Sequence, residues 1–182
     1  MNIIYFILIV FILIAAGTDI ATQKIPNWSL FVITVSGLSW NYFFADGPSL
    51  LESSTGLIVG LFLMLPSYVF TGMGAGDVKL MAAIGSVVGV DSVLNVALYS
   101  YIAILVMAVV FITVKGGLVK LLLRYKALVY GLFVGKWSYQ KPNNSDIASY
   151  PLPLAPAIAL STFYVLYPKF CNMGFMVNLC HF

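Results

Sequence analysis

Hydrophobic residues along this chain run in long blocks, separated by short polar segments. Six blocks occupy residues 1–17, 28–44, 55–70, 78–90, 92–114 and 150–167. A membrane-spanning helix needs about 20 mostly apolar residues, and backbone groups in lipid must be satisfied within helices or closed barrels. Because the blocks are continuous, they favour helices. The pattern predicts an all-α, polytopic membrane protein with about six transmembrane helices in a single domain over residues 1–182.

Two of the blocks need separate interpretation. Residues 78–90 form a short block that Gly85 and Gly89 weaken, so the fourth span is expected to begin before its apolar run, and Asp91 and Ser92 predict a turn and an N-cap after it. The first block has no Lys or Arg before its apolar core and is interpreted as a span, not as a cleaved secretory signal.

Composition supports a lipid environment and removes several function classes. Hydrophobic residues make up 62% of the chain and charged residues 8%, with a mean hydropathy of +1.02, against about 25% charged residues in soluble domains. A net charge of +3 without a long basic tail argues against nucleic-acid binding. The single histidine, His181, lies next to the last residue, which leaves no base for a Ser-His-Asp triad. We expect neither a metal nor another cofactor.

The two cysteines, Cys171 and Cys180, allow two interpretations. They form a disulfide if they face an oxidising exterior, or they are two small buried hydrophobic residues.

Basic residues predict the orientation of the spans in the cytoplasmic membrane. If the first loop is cytoplasmic, the positive-inside rule is satisfied by every basic residue except Lys169. The inner loops then hold Lys24, Lys79, Lys115, Lys120, Arg124, Lys126, Lys136 and Lys141. Both termini are therefore expected on the exterior.

Residues 116–135 have one apolar helical face, with Lys120 and Arg124 on the other. This pattern predicts either an interfacial amphipathic helix on the cytoplasmic leaflet or a cytoplasmic extension of the fifth span. Residues 136–149 are polar and rich in turn-forming residues, and they predict a cytoplasmic loop.

Two acidic residues are candidates for chemistry because acids at a membrane border are costly to hold. Asp19 directly follows the first block and Asp77 directly precedes the fourth, so the predicted topology places both at the inner membrane edge. Two close carboxyl groups resist ionising together and retain one proton. The ionised group can then take a proton from water that attacks a peptide carbonyl, while its protonated partner polarises that carbonyl.

The residues around the two aspartates are weaker candidates for a part in catalysis or substrate binding. Gly74 and Gly76 remove side chains beside Asp77, permit positive φ and let a substrate backbone approach. Taken alone, Asp77 is equally explained as a helix N-cap, and Asp19 as a polar helix end that faces headgroups.

Four further residues flank the two acids. Lys79 lies two positions from Asp77, a spacing that does not pair helical side chains, so it is expected to reach headgroups or to line the substrate approach. Lys24 either supports the motif or the substrate approach, or it serves only to set the topology. Pro26 and Asn27 start the second span, with proline setting φ and asparagine available as a cap.

The segment Gly74-Ala75-Gly76-Asp77-Val78-Lys79-Leu80 resembles the GxGD motif and flank of type IV prepilin peptidases. The segment from Asp19 to Lys24-Ile25-Pro26-Asn27 is similar to that family's first aspartate motif, and residues 150–158 look like its proline-bearing entrance to the last span. The short length is similar to the forms that process Flp-type tight-adherence pilins or archaeal preflagellins.

This resemblance implies an aspartyl endopeptidase of the inner membrane. Such an enzyme removes the short basic leader from prepilins or pilin-like proteins on the cytoplasmic side, with Asp19 and Asp77 as the catalytic pair. The chain lacks the paired CxxC motifs of the longer, bifunctional members, which puts N-methyltransferase activity in doubt. The resemblance does not indicate an oligomeric state.

The rival hypothesis is a small transporter or channel subunit in which Asp19 and Asp77 bind a cation or relay protons. A membrane scaffold is a third. Transport predicts acids near mid-membrane on broken helices, whereas both aspartates lie near the predicted border.

Overall fold

The fold is all-helical over the part of the chain that can be described. A computed structural model describes residues 3–44, 48–71, 74–114 and 153–171, and no strand occurs among them. The helices are α1 (Ile3–Thr22), α2 (Asn27–Phe43), α3 (Leu50–Thr71), α4 (Ala75–Val114) and α5 (Ala155–Cys171). The all-helical part of the predicted fold class is confirmed for these residues.

Among the described residues, three helices are long and apolar enough to cross a membrane, namely those over Ile3–Thr22, Leu50–Val69 and Ala75–Phe111. The 17-residue α2 and the apolar stretch Ala155–Pro168 of α5 are shorter. Large apolar side chains point outward, with Leu51 79% and Phe43 74% exposed, as expected where lipid is the solvent. The number of six spans stays a prediction.

The first and third helices extend beyond their predicted limits. α1 continues past Gly17 to Thr22, so Asp19 lies within the helix and not after it. α3 begins at Leu50, before the predicted Thr55, because Ser49 and Glu52 form a capping box. The Ser49 N–H donates to Glu52 Oε2 at 3.0 Å, and the Glu52 N–H donates to Ser49 Oγ at 3.2 Å.

The fourth and fifth predicted spans are the two arms of α4, which is interrupted at Gly89. That residue has φ 79° and ψ 178°, a conformation that favours glycine. The helix begins at Ala75, as expected for a start before the apolar run. The predicted turn and N-cap at Asp91 and Ser92 are wrong, since both residues are helical and the break precedes them.

Glycines allow α3 and the first arm of α4 to touch backbone to backbone. A Cβ added to Gly85 would collide with the carbonyl oxygen of Gly56, and one added to Gly60 would lie 2.6 Å from the carbonyl oxygen of Met81. Small residues at such spacing permit close helix packing in membranes.

Buried polar groups join further helices. The Asn41 amide of α2 donates to Ser53 Oγ of α3 at 2.7 Å and reaches the backbone oxygen of Ser86 in α4 at 3.3 Å. Ser100 of α4 and Ser161 of α5 share a buried hydrogen bond of 2.5 Å. α1 packs against both α2 and α5. These contacts join α1 to α2 and α5, α2 to α3 and α4, and α4 to α5.

The chain divides into two compact units. The first comprises residues 1–104 and 153–182 and contains the described core. The second comprises residues 105–152, of which 105–114 are described as the end of α4, with Leu105 and Val114 exposed. The expectations for residues 116–135 and 136–149, for Cys180 and His181, and for the side chain of Cys171 lie outside the described residues.

Candidate active site

Asp19 lies in the last turn of α1 with 6% of its surface exposed. The helix ends just beyond it, where Gln23 takes a positive φ of 54° and its N–H donates to the Asp19 carbonyl oxygen at 2.8 Å. The carboxyl group of Asp19 accepts a separate hydrogen bond from the backbone N–H of Ala155, with 3.0 Å between that nitrogen and Oδ2. The first residue of α5 therefore holds this carboxyl group in place.

Asp77 lies in the first turn of α4 with 5% of its surface exposed. It is the third helical residue, so the interpretation of Asp77 as an N-cap is wrong, although a negative group here still complements the helix dipole. Its N–H donates to the Gly74 carbonyl oxygen at 3.1 Å. Its buried Oδ1 atom finds no hydrogen-bond partner among the described residues.

The two carboxyl groups share one neighbourhood. Asp77 is near enough to Asp19 for their charges to interact, and Asp19 in turn contacts the start of α5. The end of α1 and the beginnings of α4 and α5 thus bring two buried carboxyl groups and one backbone donor together. Such a cluster can hold and move a proton without a metal or a histidine.

The two glycines beside Asp77 have a simpler explanation than the predicted one. Neither adopts a positive φ, which corrects that expectation. A Cβ on Gly74 would lie 3.1 Å from Asp77 Oδ2, and one on Gly76 would lie 3.1 Å from Cβ of Ile25. Gly74 keeps space open beside the carboxyl group, while Gly76 lets α4 pack against the segment between α1 and α2.

Lys79 contacts Asn27 rather than either aspartate. Its Nζ donates to Asn27 Oδ1 at 3.3 Å across an exposed gap between α4 and α2. The predicted cap at Asn27 is wrong, since Asn27 is the first residue of α2 and Pro26, with φ −68°, is the N-cap. Lys24 is exposed in the segment between α1 and α2.

Ala155 is the site residue that sequence reasoning missed. An alanine carries no chemical signal, and its contribution is a backbone N–H that reaches a side chain 136 positions away. The prolines around it, Pro153 and Pro156, mark a helix start but do not reveal which group faces that start. As for metal binding, no group of three or more His, Cys, Asp or Glu residues occurs in the described ranges.

A family model for type IV leader peptidases matches residues 6–109, more than half of the chain. This chain belongs to the type IV leader peptidase family. The family match includes both aspartates of the candidate site, and it confirms the resemblance read from the GxGD segment.

The chain is similar to a curated relative, the prepilin peptidase EppA of Methanocaldococcus jannaschii. The two are 28% identical over 125 residues, which cover 69% of this chain and 35% of the relative. The chain therefore spans about a third of the length of the curated relative that it matches. No solved structure matches the chain.

Proposed function

We propose that this chain is an aspartyl endopeptidase that removes the short basic leader from prepilins or pilin-like proteins. Family membership supports leader-peptide cleavage, and the relative is a prepilin peptidase by name. The observation that carries the proposal is the pair of buried carboxyl groups at two helix ends, Asp19 in the last turn of α1 and Asp77 in the first turn of α4. Both belong to the segment that matches the family model.

The proposed chemistry follows from a carboxyl pair with one shared proton. The ionised group takes a proton from water as its oxygen attacks the scissile carbonyl, and the protonated group donates to the carbonyl oxygen. Collapse of the resulting diol breaks the C–N bond, and the amine leaves with a proton. No cofactor enters this sequence of steps.

The proposed setting is the cytoplasmic edge of the inner membrane, within a single domain of about six spans. The asymmetric distribution of the basic residues supports a cytoplasmic site and exterior termini. A prepilin with an apolar helix and a basic leader can dock laterally, so that its scissile bond meets the helix ends that carry Asp19 and Asp77.

Transport through the same acids is the less favoured function. A transporter would hold its ion-binding acids on broken helices near the bilayer midplane. Here Asp19 lies in the last turn of α1 and Asp77 in the first turn of α4, while the described break, at Gly89, lies three turns from Asp77.

Co-expression with a prepilin tests the proposal. Asp19→Asn and Asp77→Asn should each abolish the size shift that marks leader removal, because an amide cannot exchange the required proton. Asp91→Asn is the matched control, since Asp91 is an exposed acid on the same helix as Asp77. Immunoblots of the membrane fraction check that all three variants are inserted. Normal leader removal by either site variant would reject the carboxyl pair.

A further inference from the structure

The two carboxyl groups of the candidate site have different surroundings. Asp19 Oδ2 accepts a hydrogen bond from the backbone nitrogen of Ala155 at 3.0 Å, whereas Asp77 Oδ1 is buried without a hydrogen-bond partner among the described residues. A donor that points at a carboxyl oxygen stabilises negative charge on that oxygen, and a buried oxygen without a donor lacks this stabilisation. This contrast separates the roles of the two residues.

We infer that Ala155 is a positioning residue whose backbone N–H orients Asp19 as the general base, so that Asp77 carries the shared proton and acts as the general acid. This inference rests on the proposed function. The next residue, Pro156, has no N–H to donate, and the hydrogen bond to Asp19 comes from Ala155.

The inferred roles define a balanced reaction. Asp19 takes one proton from water, the water oxygen bonds to the scissile carbon, and Asp77 gives its proton to the carbonyl oxygen, which forms a neutral diol. Asp19 then gives its proton to the departing nitrogen as the C–N bond breaks. One diol hydroxyl returns its proton to Asp77, so that the products are a carboxylic acid and an amine. Both aspartates end as they began.

Infrared spectroscopy of the purified full chain in lipid vesicles tests the resting protonation state directly. A protonated carboxyl group has a C=O stretch that an ionised carboxylate lacks. We expect Asp77→Asn to remove the carboxylic-acid band and Asp91→Asn to leave it unchanged. Persistence of the band in Asp77→Asn, together with its loss in Asp19→Asn, would overturn the inference even if both variants fail to cleave prepilin.

Substitution of Ala155 tests the positioning role. Ala155→Pro removes the N–H at the first residue of α5, a position where proline suits the helix. It should lower kcat for leader removal about tenfold or more, the usual effect of a lost hydrogen bond to a charged group, with KM unchanged. Ala155→Gly keeps the donor and should retain the wild-type kcat within about threefold. Equal losses in both variants would mean that Ala155 serves packing alone.

Ala155 is fully buried, so the proline ring could disturb folding. Circular dichroism and thermal unfolding of both variants in detergent detect such damage, and the infrared result for Asp77→Asn decides the inference independently. If Asp19→Asn and Asp77→Asn both still cleave prepilin, the proposed function itself is refuted. The two failures are therefore distinguishable.

Discussion

Two of the described regions that bury polar side chains differ in whether those side chains are hydrogen-bonded. At the helix-packing region, the Asn41 amide donates to Ser53 Oγ and to backbone oxygens of α4. At the candidate site, Asp77 Oδ1 is equally enclosed but finds no hydrogen-bond partner among the described residues. Satisfied buried groups hold helices together, whereas an unsatisfied one is costly to keep. The first region is therefore structural, and the cost at the second supports the proposal that Asp77 serves chemistry.

The largest expected effect concerns the packing region. Gly85→Leu should destabilise the folded protein by about 3 kcal/mol or more, because any side chain there meets the backbone of Gly56. Thermal unfolding in detergent and the yield of inserted protein measure the loss. Gly17→Leu is the control, since a Cβ on Gly17 has no atom within 4 Å. Equal stability of the two variants would contradict the close packing of α3 on α4.

The helical character of the described residues and the positions of the two acids near helix ends could be predicted from sequence. Long apolar blocks fall on helices, and Asp19 and Asp77 lie near helix ends as expected. The predicted positions of the break in α4 and of the start of α3 were wrong, and each depends on particular residues. The break in α4 needs a positive φ, which Gly89 can adopt and Asp91 resists, and α3 starts early through a capping box at Ser49 that its spacing to Glu52 could have revealed.

Contacts between distant segments could not be predicted from local pattern. Asn27 was expected to cap α2, yet its side chain accepts a hydrogen bond from Lys79 of α4. The donor to Asp19 comes from the backbone of Ala155, which every residue type except proline would supply. Such pairings depend on how the helices pack, and a single sequence does not record that.

A second prediction is that substitutions in the packing region lower stability, whereas substitutions at the candidate site lower cleavage. Asn41→Leu should lower the free energy of unfolding by about 1 kcal/mol, through the lost bonds between α2, α3 and α4, and should leave prepilin cleavage per folded molecule unchanged. Asp77→Asn should do the reverse, with stability kept and cleavage lost. Chemical unfolding in detergent and cleavage assays on the same samples measure both. Loss of cleavage in folded Asn41→Leu would contradict the assignment of Asn41 to a purely structural region.

The smallest expected effect lies at the exposed edge of the site. Lys79→Met removes the 3.3 Å bond to Asn27, and an exposed bond of this kind contributes about 0.5 kcal/mol. We expect a rise of about twofold to threefold in KM for prepilin with little change in kcat, as for a residue that lines the substrate approach. Lys79→Arg, which keeps a positively charged donor at the same position, is the control. A loss of kcat equal to that of Asp77→Asn would place Lys79 in the chemistry instead.

The central claim is that Asp19 and Asp77 act as one unit, and the kinetics of a double variant test it most directly. Single-turnover cleavage of a purified prepilin in vesicles should fall by at least about a hundredfold in Asp19→Asn and in Asp77→Asn. The double variant should be no slower than the worse single variant, because groups that share one step are not additive. Losses that multiply in the double variant, or near-normal cleavage by either single variant, would contradict the account.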